Sequence, residues 1–313
     1  MSPHATKDSL LETDPAIYDV HHQTWAAVPL PQNEVEWVER AAQVARVLAE
    51  DAALRDREQK IPVAEISLLK SSGLLKVLGP VKYGGGAQGW DVAYKTIREV
   101  AKGDGVKIDH VEVPWTDALG WNPKEKKPLE SVLGIPWASL LLPTIQLVFS
   151  NFYIGIALGA LDFALKYSAK NTRAWPYGGD NKDQASDEFY ILERYGNFKA
   201  HLRAAETLAD KAGLVIAEIY DTKSEKRDIS ARERGEAAEW VASVKIVATD
   251  TGLRVTSGVF EVTGARATST KVGLDRFFRD IRTHTLHDPV SYKNRELGRF
   301  ALLDEVPEPT WYT

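Results

Sequence analysis

Apolar positions recur at helical spacing along most of this chain, and only one short stretch alternates. Val35, Val38, Ala42, Val44 and Leu48 fall in a helix predicted from Asn33 to about Arg57, which Asn33 and Glu36 open with capping-box spacing. A short helix follows from Pro62 to Ser72, with proline in its first turn and Gly73 past its end. Val77–Tyr83 reads as a brief extended stretch running into the turn Gly84-Gly85-Gly86, and a third helix covers Trp90–Ala101. Val106–Val113 alternates and predicts a single strand, followed by a polar loop from Pro114 to Glu130. Long helical patterns then occupy 137–170, 187–221 and 231–260, with shorter ones at 274–283 and 289–303. Ser230 and Glu233 have capping-box spacing, and Gly178-Gly179-Asp180-Asn181 marks a turn. One strand cannot make a sheet, whereas three long helices with a returning one make an antiparallel bundle. The expected organisation is a loose or packed arm (1–32), a small helical domain (33–105), a strand and linker (106–135), a helical bundle (136–305) and a tail (306–313).

Composition narrows the partners. A 44% hydrophobic content supplies a packed core for 313 residues, and a net charge of −5 with interspersed signs argues against nucleic acid or an anionic membrane as partner. Small molecules are the better expectation. The absence of cysteine excludes disulfides, thiolate metal sites and cysteine nucleophiles, and suits a reducing compartment. Met1–Val20 carries Asp8, Glu12 and Asp14 without an apolar block, so no secretion signal is expected and the expected location is the cytoplasm. Ile135–Leu161 is free of charge and contains Gly155-Ile-Ala-Leu-Gly159. Pro136, Pro143, Gln146, Ser150 and Asn151 make a buried bundle helix, with glycines permitting close approach, the expectation over a membrane span.

Specific strings sharpen this picture. Ser72-Gly73-Leu74-Leu75 with Gly79–Gly85 is similar to the N-terminal helical signature of the acyl-CoA dehydrogenase-like flavoproteins. Asn171–Pro176, Ser257–Arg266 and Asp275–Pro289 resemble the monooxygenase branch of that family, typified by the dibenzothiophene monooxygenases. The implied fold is mainly α: a small N-terminal helical domain and a C-terminal four-helix bundle of acyl-CoA dehydrogenase type. The family's central β-barrel, about a hundred residues at usual domain size, is here reduced to about one strand, Lys107–Val113.

The candidate chemistry gathers in two places. His284, His287 and Asp288 close the segment before Pro289. By spacing alone they suit a helix C-terminus, where imidazoles sit beside unpaired carbonyls, or, less well, a metal site short of ligands. The resemblance implies instead that His287 is the catalytic group at the flavin, with His284 as its supporting neighbour. There an imidazole would keep the distal oxygen of a C4a-hydroperoxyflavin protonated for transfer to a sulfide. Arg173 and Arg266 read by themselves as exposed helix-end and turn residues; the resemblance implies that they hold the flavin phosphate, with Gly264 allowing close backbone approach. Tyr83–Gly86 lacks the spacing of a phosphate loop and reads as a turn. Most of the nine tryptophans are expected to fill core.

The resemblance implies a two-component monooxygenase that takes reduced FMN from a separate NAD(P)H:flavin reductase, uses O2 and oxygenates a small organosulfur or similar apolar substrate. It also implies a homo-oligomer, dimer or tetramer, with flavin shared across subunits. Two alternatives are an FAD-dependent acyl-CoA dehydrogenase, for which Asp288 is the available base, and an inactive truncated paralogue acting as an oligomeric scaffold.

Overall fold

The computed structural model describes residues 18–58, 62–105, 121–122, 124–125, 127–177 and 182–311. The expected strand Val106–Val113, the turn Gly178–Asn181, most of the arm and Trp115 lie outside the described residues.

The described chain is built from helices α1 (Asp19–Ala27), α2 (Glu34–Glu58), α3 (Val63–Ser71) and α4 (Trp90–Gly103), the single turns α5 (Glu130–Leu133) and α6 (Pro136–Ser139), and then α7 (Leu141–Asn171), α8 (Phe189–Lys223), α9 (Ala231–Thr263), α10 (Asp275–Thr285) and α11 (Val290–Leu303). Among the described residues, the β structure is a two-residue antiparallel ladder pairing Trp121–Asn122 with Lys127–Pro128. The mainly helical expectation holds, and the helix ends fall within a few residues of the predicted ones.

Of the arm, the described residues 18–32 pack on the body: α1 lies on α3, and Tyr18 and Trp25 are buried. Its single buried face is too short to show a period in the sequence. Val77–Tyr83 is not extended, because Val77 is helical in backbone and Val81–Tyr83 forms a 3-10 turn after Pro80. Gly84 closes that turn in the left-handed region at φ 75°, which only glycine adopts without strain. One of the two capping boxes forms in full and the other by half. Ser230 and Glu233 cap each other, whereas at Asn33 the Glu36 backbone N–H donates to Asn33 Oδ1 at 3.1 Å but the Glu36 carboxylate accepts the Gln32 backbone N–H.

Helix directions follow from cross-contacts. Tyr153 meets Lys245, and Ser168 Oγ donates to the Val262 carbonyl at 2.9 Å, so α7 and α9 run the same way. Thr144 faces Tyr220 and Ser168 faces Tyr195, so α8 runs back. Phe277 meets Phe163 and His284 meets Tyr153, so α10 also returns. The four helices enclose Leu147, Ile154, Phe198, Val241, Val255 and Ile281, each at most 1% exposed. Burying one such side chain contributes roughly 1.5–3 kcal/mol.

Helix α7, whose first 21 residues carry no charge, is long and apolar enough to cross a membrane, yet most of it is buried by its neighbours. Gly155 and Gly159 explain the close approach of α4: a Cβ on either would overlap the carbonyl oxygen of Arg98 or Lys102. Arg276 ties the same helix to α10 by donating to the Gly103 carbonyl at 3.0 Å. On the other side, α11 packs on α9 over a charged patch. Glu239 there is 3% exposed, and neither carboxylate oxygen has a hydrogen-bond partner among the described residues. Burial, reinforced by Glu296 and opposed by Lys293, pushes its carboxyl up to about 7.

Candidate functional site

The last turn of α10 brings His284 against α7. Its ring lies 4.6 Å from Phe149, 5.8 Å from Phe152 and 5.4 Å from Tyr153 between centroids. Those three residues occupy one face of α7 because i, i+3 and i+4 positions align on a helix. Tyr153 Oη lies 2.8 Å from His284 Nδ1 and also receives Lys245 Nζ from α9 at 3.2 Å. Lys245 is 1% exposed and donates to Asp288 Oδ1 at 2.6 Å, so a buried ammonium is compensated by a carboxylate just past α10. Burial first, then the charges of Lys245 and His287, hold the His284 imidazole below its ordinary value, opposed by Asp288. Burial raises the Tyr153 phenol, so it stays protonated.

His287 stands one step outward. Its ring is 6.3 Å from that of His284 at an interplanar angle of 27°, and it is exposed. With Asp288 it edges a cleft of about 1110 Å³ whose other walls are α11 and the segment from Asp304 to Thr310. No group of three or more potential metal ligands occurs among the described residues.

Further along the bundle, α7 and α9 finish side by side. Thr172 Oγ1 donates to the Thr263 carbonyl at 3.3 Å, which sets Arg173 beside Gly264 and Arg266. Gly264 has φ 82° and ψ 174°, and nothing lies within 4 Å of where its Cβ would be. Both arginines are exposed, as are Trp175, Tyr177 and Phe189 nearby in the chain.

The structure thus groups His284 with His287, and Arg173 with Gly264 and Arg266, but not the two groups with each other. Tyr153 is eighteen residues from the end of α7 and Lys245 eighteen from the end of α9, which at 1.5 Å per residue separates the groups by roughly 27 Å. A ribityl phosphate does not bridge that distance within one chain. In kind the residues suit a flavin mononucleotide, with aromatic rings and imidazoles at one end and two guanidiniums beside an open glycine at the other.

Tyr153 and Lys245 were not singled out from the sequence. Lys245 carried a signal: it lies four residues after Val241 and three before Ala248, a cation on an otherwise apolar stripe. Tyr153 carried none, being one more aromatic in a charge-free stretch.

Residues 147–292 match the family described as acyl-CoA dehydrogenase, C-terminal domain. The dibenzothiophene monooxygenase of Mycolicibacterium goodii is 42% identical over 204 residues, 65% of this chain and 47% of that protein. A probable FMNH2-dependent monooxygenase, SfnC of Pseudomonas putida, is 37% identical over 181 residues, 58% of this chain and 45% of that protein. This chain therefore spans about half the length of the curated relatives it matches. Among solved structures, FMN-bound TdsC of Paenibacillus sp. A11-2 superposes with a TM-score of 0.76 at 25% identity, covering 88% of this chain and 100% of that one. The resemblance to the acyl-CoA dehydrogenase-like monooxygenases and the mainly helical fold are both borne out by these likenesses.

Proposed function

We propose that this chain is a flavin-dependent monooxygenase using reduced FMN delivered by a separate reductase, O2, and a small organosulfur or similar apolar substrate. The observation that carries it is the end of α10, where His284 packs against Phe149, Phe152 and Tyr153 and stacks with His287, which itself edges a small-molecule-sized cleft. The similarity to dibenzothiophene monooxygenases supports the same reading. When bound, reduced FMN supplies the activation of O2 for transfer of one oxygen atom. The protein's part is binding, orientation, exclusion of water and management of a proton. In this reading His287 holds that proton, and His284 is its supporting neighbour.

Arg173 and Arg266 are then the phosphate ligands, with Gly264 letting the backbone approach. The separation of roughly 27 Å along the helices favours a flavin held between two copies of the chain, one presenting its histidine end and the other its arginine end. A dimer or tetramer is the corresponding assembly, and Trp175, Tyr177 and Phe189 are available to line its contact.

The dehydrogenase alternative with FAD finds less support, because Asp288, its base, is engaged by Lys245 at 2.6 Å. Titration of the purified chain with oxidised and reduced FMN, and with FAD, tests these readings. Tighter binding of reduced FMN, weakened by Arg173→Ala, is the expected result. No binding of either flavin by a properly assembled oligomer would leave the scaffold reading in its place.

A further inference from the structure

Lys245 is a charged side chain at 1% exposure in the middle of α9, and it makes two contacts: Asp288 Oδ1 at 2.6 Å and Tyr153 Oη at 3.2 Å. A solubilising lysine would reach water, and a purely structural one would need only its carboxylate partner. The second contact matters because an ammonium donates and never accepts, so it occupies a lone pair on the Tyr153 oxygen. The single phenolic proton then has two acceptors, His284 Nδ1 at 2.8 Å and the His284 carbonyl at 3.4 Å. The shorter is the better hydrogen bond. With Nδ1 accepting, the one remaining proton of a neutral imidazole sits on Nε2.

We propose that Lys245 and Tyr153 are positioning residues that lock His284 as the neutral, Nε2-protonated tautomer, a hydrogen-bond donor presented among Phe149, Phe152 and His287. The groups facing the ring from each packed element act in the same sense or are spoken for. Phe149 and Phe152 on α7 are apolar, Tyr153 donates to Nδ1, and Lys245 on α9 repels a second proton. His287 on the outward side repels it too, and of the two groups that favour the charged form, Asp288 and a backbone hydrogen bond, Asp288 is neutralised by Lys245. The usefulness of such a donor, a fixed N–H that supports His287 without surrendering an extra proton, rests on the monooxygenase reading. The lock itself does not.

The test is nitrogen-15 NMR of the imidazoles in the full chain without flavin, with the His284 resonances identified by their loss in His284→Gln. Wild type is expected to show Nε2-protonated His284 at pH 7. Lys245→Met is expected to raise its titration midpoint by about one pH unit, a tenfold gain in proton affinity. Lys245→Arg should restore the wild-type midpoint, and Tyr153→Phe should let both tautomers appear. A merely structural lysine would lower the melting temperature without moving the midpoint. An Nδ1-protonated ring in wild type, or an unmoved midpoint in folded Lys245→Met, would overturn the proposal. Should Lys245→Met not fold, the wild-type spectrum and Tyr153→Phe decide it. Flavin titration of the same samples separates the two ideas: a locked tautomer without flavin binding defeats only the proposed function, and flavin binding to an Nδ1-protonated protein defeats only the lock.

Discussion

Midway along α7 and α9 a lysine is buried at 1% exposure and compensated by Asp288, Tyr153 and, through the tyrosine, His284. Where those helices finish, Arg173 and Arg266 stand in solvent, beside Gly264, whose Cβ position has nothing within 4 Å. The histidine end is complete within one chain, and its charges have been satisfied by the chain's own groups. At the arginine end the Thr172 hydroxyl donates to the Thr263 carbonyl, and the exposed guanidiniums are available to something else. A buried network has its cost met at folding and then constrains a tautomer. Exposed cations are cheap to keep and gain most when a ligand or a second copy desolvates them.

The largest effect expected from disturbing this contrast is in rate. His287→Ala should lower oxygen transfer by on the order of 100- to 10,000-fold while leaving the melting temperature unchanged, because the side chain is exposed. Equal rates for wild type and variant, measured with a sulfide and a supplied reductase, would remove His287 from the proposed role. Next comes the packing that places Tyr153. Gly155→Val puts side-chain atoms into the Arg98 carbonyl, and thermal unfolding should show a loss of about 3 kcal/mol. A neutral result would mean that α4 yields readily and does not hold α7 in position.

At the open end, Arg173→Ala and Arg266→Ala should each weaken reduced FMN by about 10- to 100-fold, as loss of a charge-assisted phosphate contact does. Their melting temperatures should match wild type. If calorimetry finds unchanged affinity, the arginine end serves assembly alone. The smallest effect concerns Glu239, outside both ends. Its carboxyl is raised from 4.5 to about 7 in the fold, so its contribution is fully present below 4.5 and is lost as pH rises through 7. Glu239→Gln should therefore stabilise the protein by on the order of 2 kcal/mol at pH 8 and leave it unchanged near pH 4. Equal gains at both pH values would show that packing, not titration, is responsible.

The long helices were legible because each buries a face over many turns, and an amphipathic period repeated through thirty residues, as in α8 and α9, survives local irregularities. The short helix α1 was not, since nine residues contribute too few positions to declare a face. The stretch at Val81–Tyr83 misled for the opposite reason: β-branched and aromatic residues favour extension, but Pro80 and Gly84 bend the chain into a turn. His284, His287, Arg173, Gly264 and Arg266 could be picked out because they lie in contiguous strings at helix ends, where resemblance is carried by adjacent letters.

By itself the sequence determined the helical class, the bundle, a close helix approach permitted by Gly155 and Gly159, and the two strings bearing candidate chemistry. Only the tertiary structure decided that α4 is the helix that approaches there, that those strings lie roughly 27 Å apart along the bundle, and that Tyr153 and Lys245 stand behind His284. Local periodicity sets which face of a helix is buried. Which residues meet across faces depends on the direction and register of helices separated by about ninety residues of chain, as Tyr153 and Lys245 are. No spacing along the sequence encodes that.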